Sequence, residues 1–327
     1  MKLRLLKALR TPLVRGRRAW RRRHERHGVI VAYHRVAETR FDPWQLCVAP
    51  KHFAQHLEAF AEFADIVPLR EFGERLTAGR GTRPILAITF DDGYADNLHA
   101  ALPALQRASA PATVFLSTGW TGRTSGFWWD RLTRLVFEPT ALPGKLCLEG
   151  FDYRWRTGSN SQHERQVLHL ALWQRLRDLD DDLRDDMLER LARWAGLPAT
   201  VAADARPMTA DEVGTLAASP LIEIGAHSVR HRPLSSLPEA QQMEEMAQSR
   251  RDCERLTGVR PESFAYPFGD HTADVPDLMA QAGFTRACSL HPDLVWQDSD
   301  PFRLPRIGAL DRDGVSFSRR LRREWLP

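Results

Sequence analysis

The run Ile85–Phe90, Ile-Leu-Ala-Ile-Thr-Phe, leads straight into Asp91-Asp92-Gly93-Tyr94, and this junction constrains the fold more than any other stretch of the chain. Apolar, partly β-branched residues predict a buried strand, and its C-terminal end delivers two adjacent carboxylates into a cleft. Two like charges side by side are costly unless a cation or a shared proton neutralises them. A second junction of this kind comes much later: residues 221–224 are mostly apolar and precede Gly225-Ala226-His227-Ser228-Val229-Arg230-His231. Imidazoles four residues apart, just past a strand, can meet on one side of a turn or helix start. One Asp with two His is a ligand set for a catalytic divalent metal that keeps open positions. Each half alone reads equally well as a turn or as two solvated histidines. What points to chemistry is that both lie at strand ends, where parallel α/β folds place their sites.

The rest of the chain alternates strand and helix signals. Strands are expected at 28–33, ending at His34, and at 112–116, 221–224, 263–268 and 286–290, with helices at 52–63, 95–108, 238–256 and 274–282. Such alternation predicts a parallel α/β architecture. Residues 121–206 break the pattern. They open with Phe127-Trp128-Trp129-Asp130, carry Trp155, Trp173 and Trp194, and contain charged helical runs at 164–179 and 181–194, as in a mostly helical insertion.

Charge is unevenly placed. Residues 1–27 hold eleven Lys/Arg and one acid, Glu25, a net +10 against +4 for the whole chain, so the body carries −6. This argues against a nucleic-acid-binding body. Leu5, Leu9 and Leu13 recur every four residues among Lys2, Arg4, Lys7 and Arg10. The arm therefore reads either as a short amphipathic helix on an anionic membrane or as a solvated or body-packed segment. The basic residues interrupt any secretion-signal core, so the cytoplasm is expected, with peripheral contact at the inner membrane face. Cys47, Cys147, Cys253 and Cys288 form no metal-module spacing and are expected to be free and buried.

Thr89-Phe90-Asp91-Asp92-Gly93-Tyr94 and His227-Ser228-x-x-His231 resemble the first two motifs of the polysaccharide deacetylase family, the NodB-homology enzymes of carbohydrate esterase family four. Tyr33-His34-Arg35-Val36, Phe264-Ala265-Tyr266-Pro267-Phe268-Gly269 and Leu304-Pro305-Arg306 follow the order of the Tyr-His-Arg-Val-containing branch, and the resemblance covers roughly 28–310. It implies an incomplete, distorted (β/α)7-type barrel over about 28–320, with the insertion at 121–206 and the arm at 1–27. The implied activity is hydrolysis of acetyl groups on N-acetylated sugars of a polysaccharide or glycan precursor. Asp92, His227 and His231 are the implied ligands of Zn2+, with Co2+ or Ni2+ as substitutes, and Asp91 is the implied general base. The metal lowers the pKa of a bound water from about 16 towards 7 and polarises the carbonyl. The third motif makes Tyr266 and Phe268 the implied substrate and oxyanion residues, with the Phe268 N–H as the oxyanion donor.

Two departures from the family pattern stand out. Ala265 occupies a position where many members carry an Arg that orients the base; Arg306 either supplies that guanidinium or makes a structural ion pair. No histidine follows Leu304, so the general acid is open: His34 ends the first strand and is either a site-proximal proton donor or a loop-bonding residue, and His291 lies in a loop setting. Trp128 and Trp129 either pack the insertion or line a sugar cleft. Other readings are hydrolysis of other non-peptide C–N bonds or of O-acetyl esters, and a non-catalytic glycan-binding or scaffold protein of a membrane-associated synthesis complex.

Overall fold

The computed structural model describes residues 20–21, 24–78, 83–148, 151–154, 161–201, 205–272 and 274–324. Nine strands form its main sheet: β1 His27–Tyr33, β2 Asp65–Ile66, β3 Ile85–Phe90, β4 Ala112–Leu116, β5 Ile222–Ala226, β6 Ser263–Ala265, β7 Arg286–Cys288, β8 Val295–Trp296 and β9 Ile307–Gly308. Seven lie in the order β7-β6-β5-β4-β3-β1-β8, with β9 on β1 and β2 on β3. Every pairing is parallel except β1 with β8. The sheet curls into the incomplete α/β barrel expected.

All six residues of β3 are buried, because the sheet is covered on both sides. On one side, Val29, Val31, Leu86, Ile88, Phe90, Val114, Leu116 and Phe264 pack under the outer helices. On the other, Ile30, Ala87, Phe115, Ala265, Cys288 and Leu304 form a smaller cluster. The strict alternation along each strand is that of a pleated sheet buried on both faces. Residues 304–308 bridge the open side. Leu304 pairs with Cys288 on β7, and Ile307 and Gly308 pair with Val31 and Ala32 on β1. This segment is too short and too rich in Pro and Arg to signal a strand, so β9 was not expected; β2 and β8, at two residues each, also lack any periodicity to read.

Ten α-helices are described: α1 Pro50–Phe63, α2 Leu69–Thr77, α3 Leu102–Ala108, α4 Trp128–Phe137, α5 Gln162–Arg177, α6 Asp181–Ala195, α7 Ala210–Ala217, α8 Glu239–Thr257, α9 Val275–Gln281 and α10 Gly314–Glu324. The helix expected at 95–108 is a π-turn, Asn97–Ala101, running into α3. Helices α4 to α6 build their own core from Leu132, Leu135, Leu168, Leu172, Leu176, Leu188 and Leu191, at i, i+3 and i+4 spacings. A hairpin, Lys145–Leu148 with Phe151–Arg154, sits between α4 and α5, so this region is not helix alone. Trp155 and residues 1–19 of the arm lie outside the described residues. Among the described residues no helix is long and apolar enough to cross a membrane. All four cysteines are free, but Cys147 is exposed, on an outward-facing position of that hairpin.

Candidate metal centre and catalytic site

The Asp-Asp turn is held at both ends. Asp91 N–H donates to the Tyr33 carbonyl (3.0 Å), and Ser117 N–H donates to the Asp92 carbonyl (3.3 Å). Asp92 is left-handed (φ 74°), which splays the two carboxylates apart. Gly93 follows at φ 84°, where a side chain would be strained and its Cβ would lie 2.8 Å from Leu116 Cδ2, so glycine is favoured in this turn.

Asp92 meets the histidine segment. Its Oδ1 lies 3.5 Å from His227 Nε2 and 3.3 Å from His231 Nε2. One ligand atom from each of the three residues falls within 4.8 Å of the others. His227 Nδ1 sits 2.7 Å from the Ala265 carbonyl. A carbonyl only accepts, so Nδ1 carries the proton and Nε2 presents its lone pair. Burial keeps His227 below its ordinary pKa and pushes His231 well below, with His227 adding to the effect. Both rings are therefore neutral at neutral pH. Asp92 Oδ1 is buried without a hydrogen-bond partner, and burial, with Asp91 and Asp130 nearby, drives this carboxyl well above the carboxylate range. Two neutral imidazoles and an orphaned carboxyl oxygen converging in a buried site fit a divalent cation.

Asp91 faces the other way. Arg306 grips it with both arms, Nη1 to Oδ1 and Nη2 to Oδ2 at 2.7 Å each. Arg306 Nη1 also donates to Thr89 Oγ1 (3.1 Å), and Nε donates to the Ser289 carbonyl (3.0 Å). Burial alone would raise the Asp91 pKa; the Arg306 guanidinium, by its charge and its hydrogen bonds, outweighs it and holds the carboxyl well below its usual range. His34 Nε2 lies 3.9 Å from Asp91 Oδ2. Burial lowers His34 to about 4, so the resting ring is neutral.

Asp91, Asp92, His34, His227, His231 and Arg306 thus come together from four separate parts of the chain. Of the aromatic candidates, Phe268 (φ 60°) sits with its ring 4.5 Å from His231, and Trp129 lies 4.8 Å from His231 on another side. Trp128 is packed in the insertion core, with the Arg184 guanidinium 5.2 Å over its ring, and does not line the site. Tyr266 is likewise displaced from the substrate role. Its ring is fully buried and its hydroxyl donates to the Phe302 carbonyl (2.8 Å), because the side chain points to the outer core. His291 is exposed in its loop, with its carbonyl accepting the Arg306 N–H (3.1 Å).

Four neighbours escaped the sequence reading. Trp129 Nε1 donates to Tyr94 Oη (2.7 Å), and Tyr94 donates to Asp130 Oδ2 (2.8 Å), a chain that fixes the indole against His231. Trp173 of α5 stands edge-on to Phe268 at 5.6 Å and meets Trp44 at 4.6 Å. Only the adjacency of Tyr94 to the Asp-Asp-Gly turn, and of Asp130 to the Trp pair, hinted at these roles.

A family description, polysaccharide deacetylase, matches residues 78–143 and 187–287, which carry both the Asp-Asp and the His-x-x-x-His segments. The chain belongs to the polysaccharide deacetylase family. It is accordingly a hydrolase of carbon–nitrogen bonds other than peptide bonds. The unmatched stretch between the two blocks holds the hairpin and α5. Among solved structures, this deacetylase is similar to the deacetylase PplD of Streptococcus pyogenes in complex with acetate (TM-score 0.60, 16% identity, 93% of this chain and 100% of that one). It is similar also to IcaB from Ammonifex degensii (0.56, 16%, 87% and 92%) and to the deacetylase domain of BpsB from Bordetella bronchiseptica (0.53, 18%, 88% and 97%). At these identities the likeness is one of fold. Among curated proteins no sequence match is found.

Proposed function

We propose that this polysaccharide deacetylase is a divalent-metal-dependent enzyme that removes the acetyl group from an N-acetylated sugar of a glycan or glycan precursor. The observation that carries the reading is the convergence of His227 Nε2, His231 Nε2 and the orphaned Asp92 Oδ1 beside an ionised Asp91. Asp92, His227 and His231 would hold the metal; Zn2+ suits two imidazoles and one carboxylate best, and Co2+ or Ni2+ would substitute. Such an ion supplies Lewis acidity towards the acetamido carbonyl and makes water a stronger acid.

The chain's own residues do the rest. Asp91, kept ionised and fixed in orientation by Arg306, takes the proton of the attacking water. Neutral His34, 3.9 Å away, receives that proton and gives it to the departing sugar amine; the water's second proton stays on the carboxyl product, so acetic acid and amine leave and ionise to acetate and ammonium in solution. The Phe268 N–H is the proposed donor to the oxyanion. Phe268 and Trp129, against His231, keep water from the scissile bond and offer apolar surface to the acetyl methyl.

The reading includes cytoplasmic residence and peripheral docking of residues 1–27 on an anionic membrane. Trp20, within the arm, is 57% exposed, as an interfacial anchor would be. Arg21 is instead taken up by the body, bonded to Asp298 (2.7 Å) with its guanidinium 4.4 Å from the Trp296 ring centroid.

The test is acetate release from N-acetylglucosamine oligomers of one to five residues. Release that stops with chelator and returns with Zn2+ or Co2+ is expected. Release unaffected by exhaustive metal removal would contradict the reading.

A further inference from the structure

The segment that presents both histidines is strained. Ser228 and His231 adopt left-handed backbone (φ 61° and 55°), although neither is glycine. Such a conformation persists only where the surroundings over-determine it, and two groups of contacts do so here. One comes from the loop after β4. Thr118 N–H donates to the Ser228 carbonyl (3.1 Å) and Gly119 N–H to the Val229 carbonyl (2.9 Å). A Cβ on Gly119 would lie 2.7 Å from the Val229 oxygen, so the approach requires glycine.

The other comes from a single buried carboxylate on α8. Glu245, 2% exposed, accepts the backbone N–H groups of Val229 (2.8 Å) and Arg230 (2.9 Å) on Oε2. The Arg230 guanidinium closes the pair by donating to Oε1 (2.9 Å). Two consecutive backbone N–H groups aimed at one anion make a small anion-binding nest, here filled by the protein's own side chain. One heptad on, the buried Asp252 accepts from Thr118 Oγ1 (3.0 Å) and so braces the other loop from the same helix face.

We infer that Glu245 is a positioning residue for the metal centre: by clamping the Val229 and Arg230 amides it sets the separation of His227 and His231, and with it the affinity for a divalent cation. The inference rests on the metal reading above. Outer groups that orient metal ligands typically change affinity by about 10- to 100-fold when removed. A clamp of purely structural value would lower thermal stability and leave affinity alone.

The experiment uses the full chain, stripped of metal, titrated with Co2+ by visible absorption and by chelator competition, with thermal melting of the metal-free protein alongside. Glu245→Ala is expected to weaken Co2+ binding about 10- to 100-fold. Glu245→Gln keeps an acceptor oxygen but loses the charge, and is expected to fall between wild type and Glu245→Ala; it decides the matter if the alanine variant does not fold. Glu244→Gln, whose side chain is exposed on the same helix, is expected to retain wild-type affinity. Wild-type Co2+ affinity in the Glu245 variants, whatever their melting temperature, overturns the inference alone. A wild type that takes up no Co2+ overturns the metal reading and this inference with it.

Discussion

Arg306 and Asp91, 215 residues apart in sequence, form a bidentate ion pair at 2.7 Å in which neither partner is more than 1% exposed. The pair closes the barrel chemically where residues 304–308 close it in backbone, and it answers the absence of an arginine at Ala265. Ala265 lies in the same small cluster as Phe115, and the Arg306 guanidinium sits 5.5 Å over that Phe115 ring. The guanidinium that grips Asp91 comes from the segment just before β9, not from the end of β6.

Replacing Arg306 should therefore cost both stability and turnover. Arg306→Ala strands the Asp91 charge, and breaking a buried pair from one side costs about 3–5 kcal/mol. Arg306→Lys keeps a charge but only one direction of contact, so a smaller loss of stability is expected, with acetate release down by about 10-fold or more. Thermal melting and turnover, measured together, check this; a lysine variant with wild-type turnover would show that the fork geometry is irrelevant to Asp91.

Asp91→Asn separates the proposed base from the proposed metal ligands. The variant should lose about 10²- to 10⁴-fold in turnover, the range for a general base. Its metal content should match wild type, because the Asp92, His227 and His231 atoms remain. Elemental analysis beside acetate release reads both; loss of metal with loss of activity would instead place Asp91 among the ligands.

The sequence carried the chemistry better than it carried the shape around it. Asp91, Asp92, His227 and His231 are legible because local order displays them: a buried strand, then a turn with the carboxylate or imidazole at a set offset. Arg306 was visible only as an alternative, since its partner lies across the barrel and no periodicity links the two. Tyr266 and Trp128 were misplaced for a related reason. A strand alternates faces, and the side of the sheet that Tyr266 takes depends on a register that one sequence does not display. Trp173 and Glu245 carry no signal: one is a tryptophan on a helix that buries charged and apolar residues alike, the other one carboxylate among several on α8.

Acid should weaken the fold independently of the site. His56 Nε2 donates to the Arg312 carbonyl (2.7 Å), and Nδ1 accepts from Tyr33 (3.0 Å). His169 lies 3.1 Å from Thr133 Oγ1. Burial lowers both to about 4, below an unfolded value near 6.5. Between these values the unfolded chain binds more protons, so stability is full above about pH 6.5 and falls as pH drops towards 4. Melting temperature across pH 4–8 measures it, and His56→Gln should flatten the slope. A curve rising towards acid would contradict the neutral, buried assignment.

Trp173 brings the insertion to the site through Phe268 and Trp44. Trp173→Ala is expected to raise KM for N-acetylated oligosaccharides by about 10-fold, the equivalent of about 1.4 kcal/mol, with kcat little changed. Steady-state kinetics on oligomers of increasing length checks this; unchanged KM at every length would limit Trp173 to packing.

The central claim is that Asp92, His227 and His231 hold a divalent metal, and metal content by elemental analysis tests it without any choice of substrate. Wild type should carry near-stoichiometric zinc, cobalt or nickel, and the His227→Ala/His231→Ala double variant should carry none. A wild type that retains no metal even after reconstitution, or a double variant that retains as much, would contradict the account.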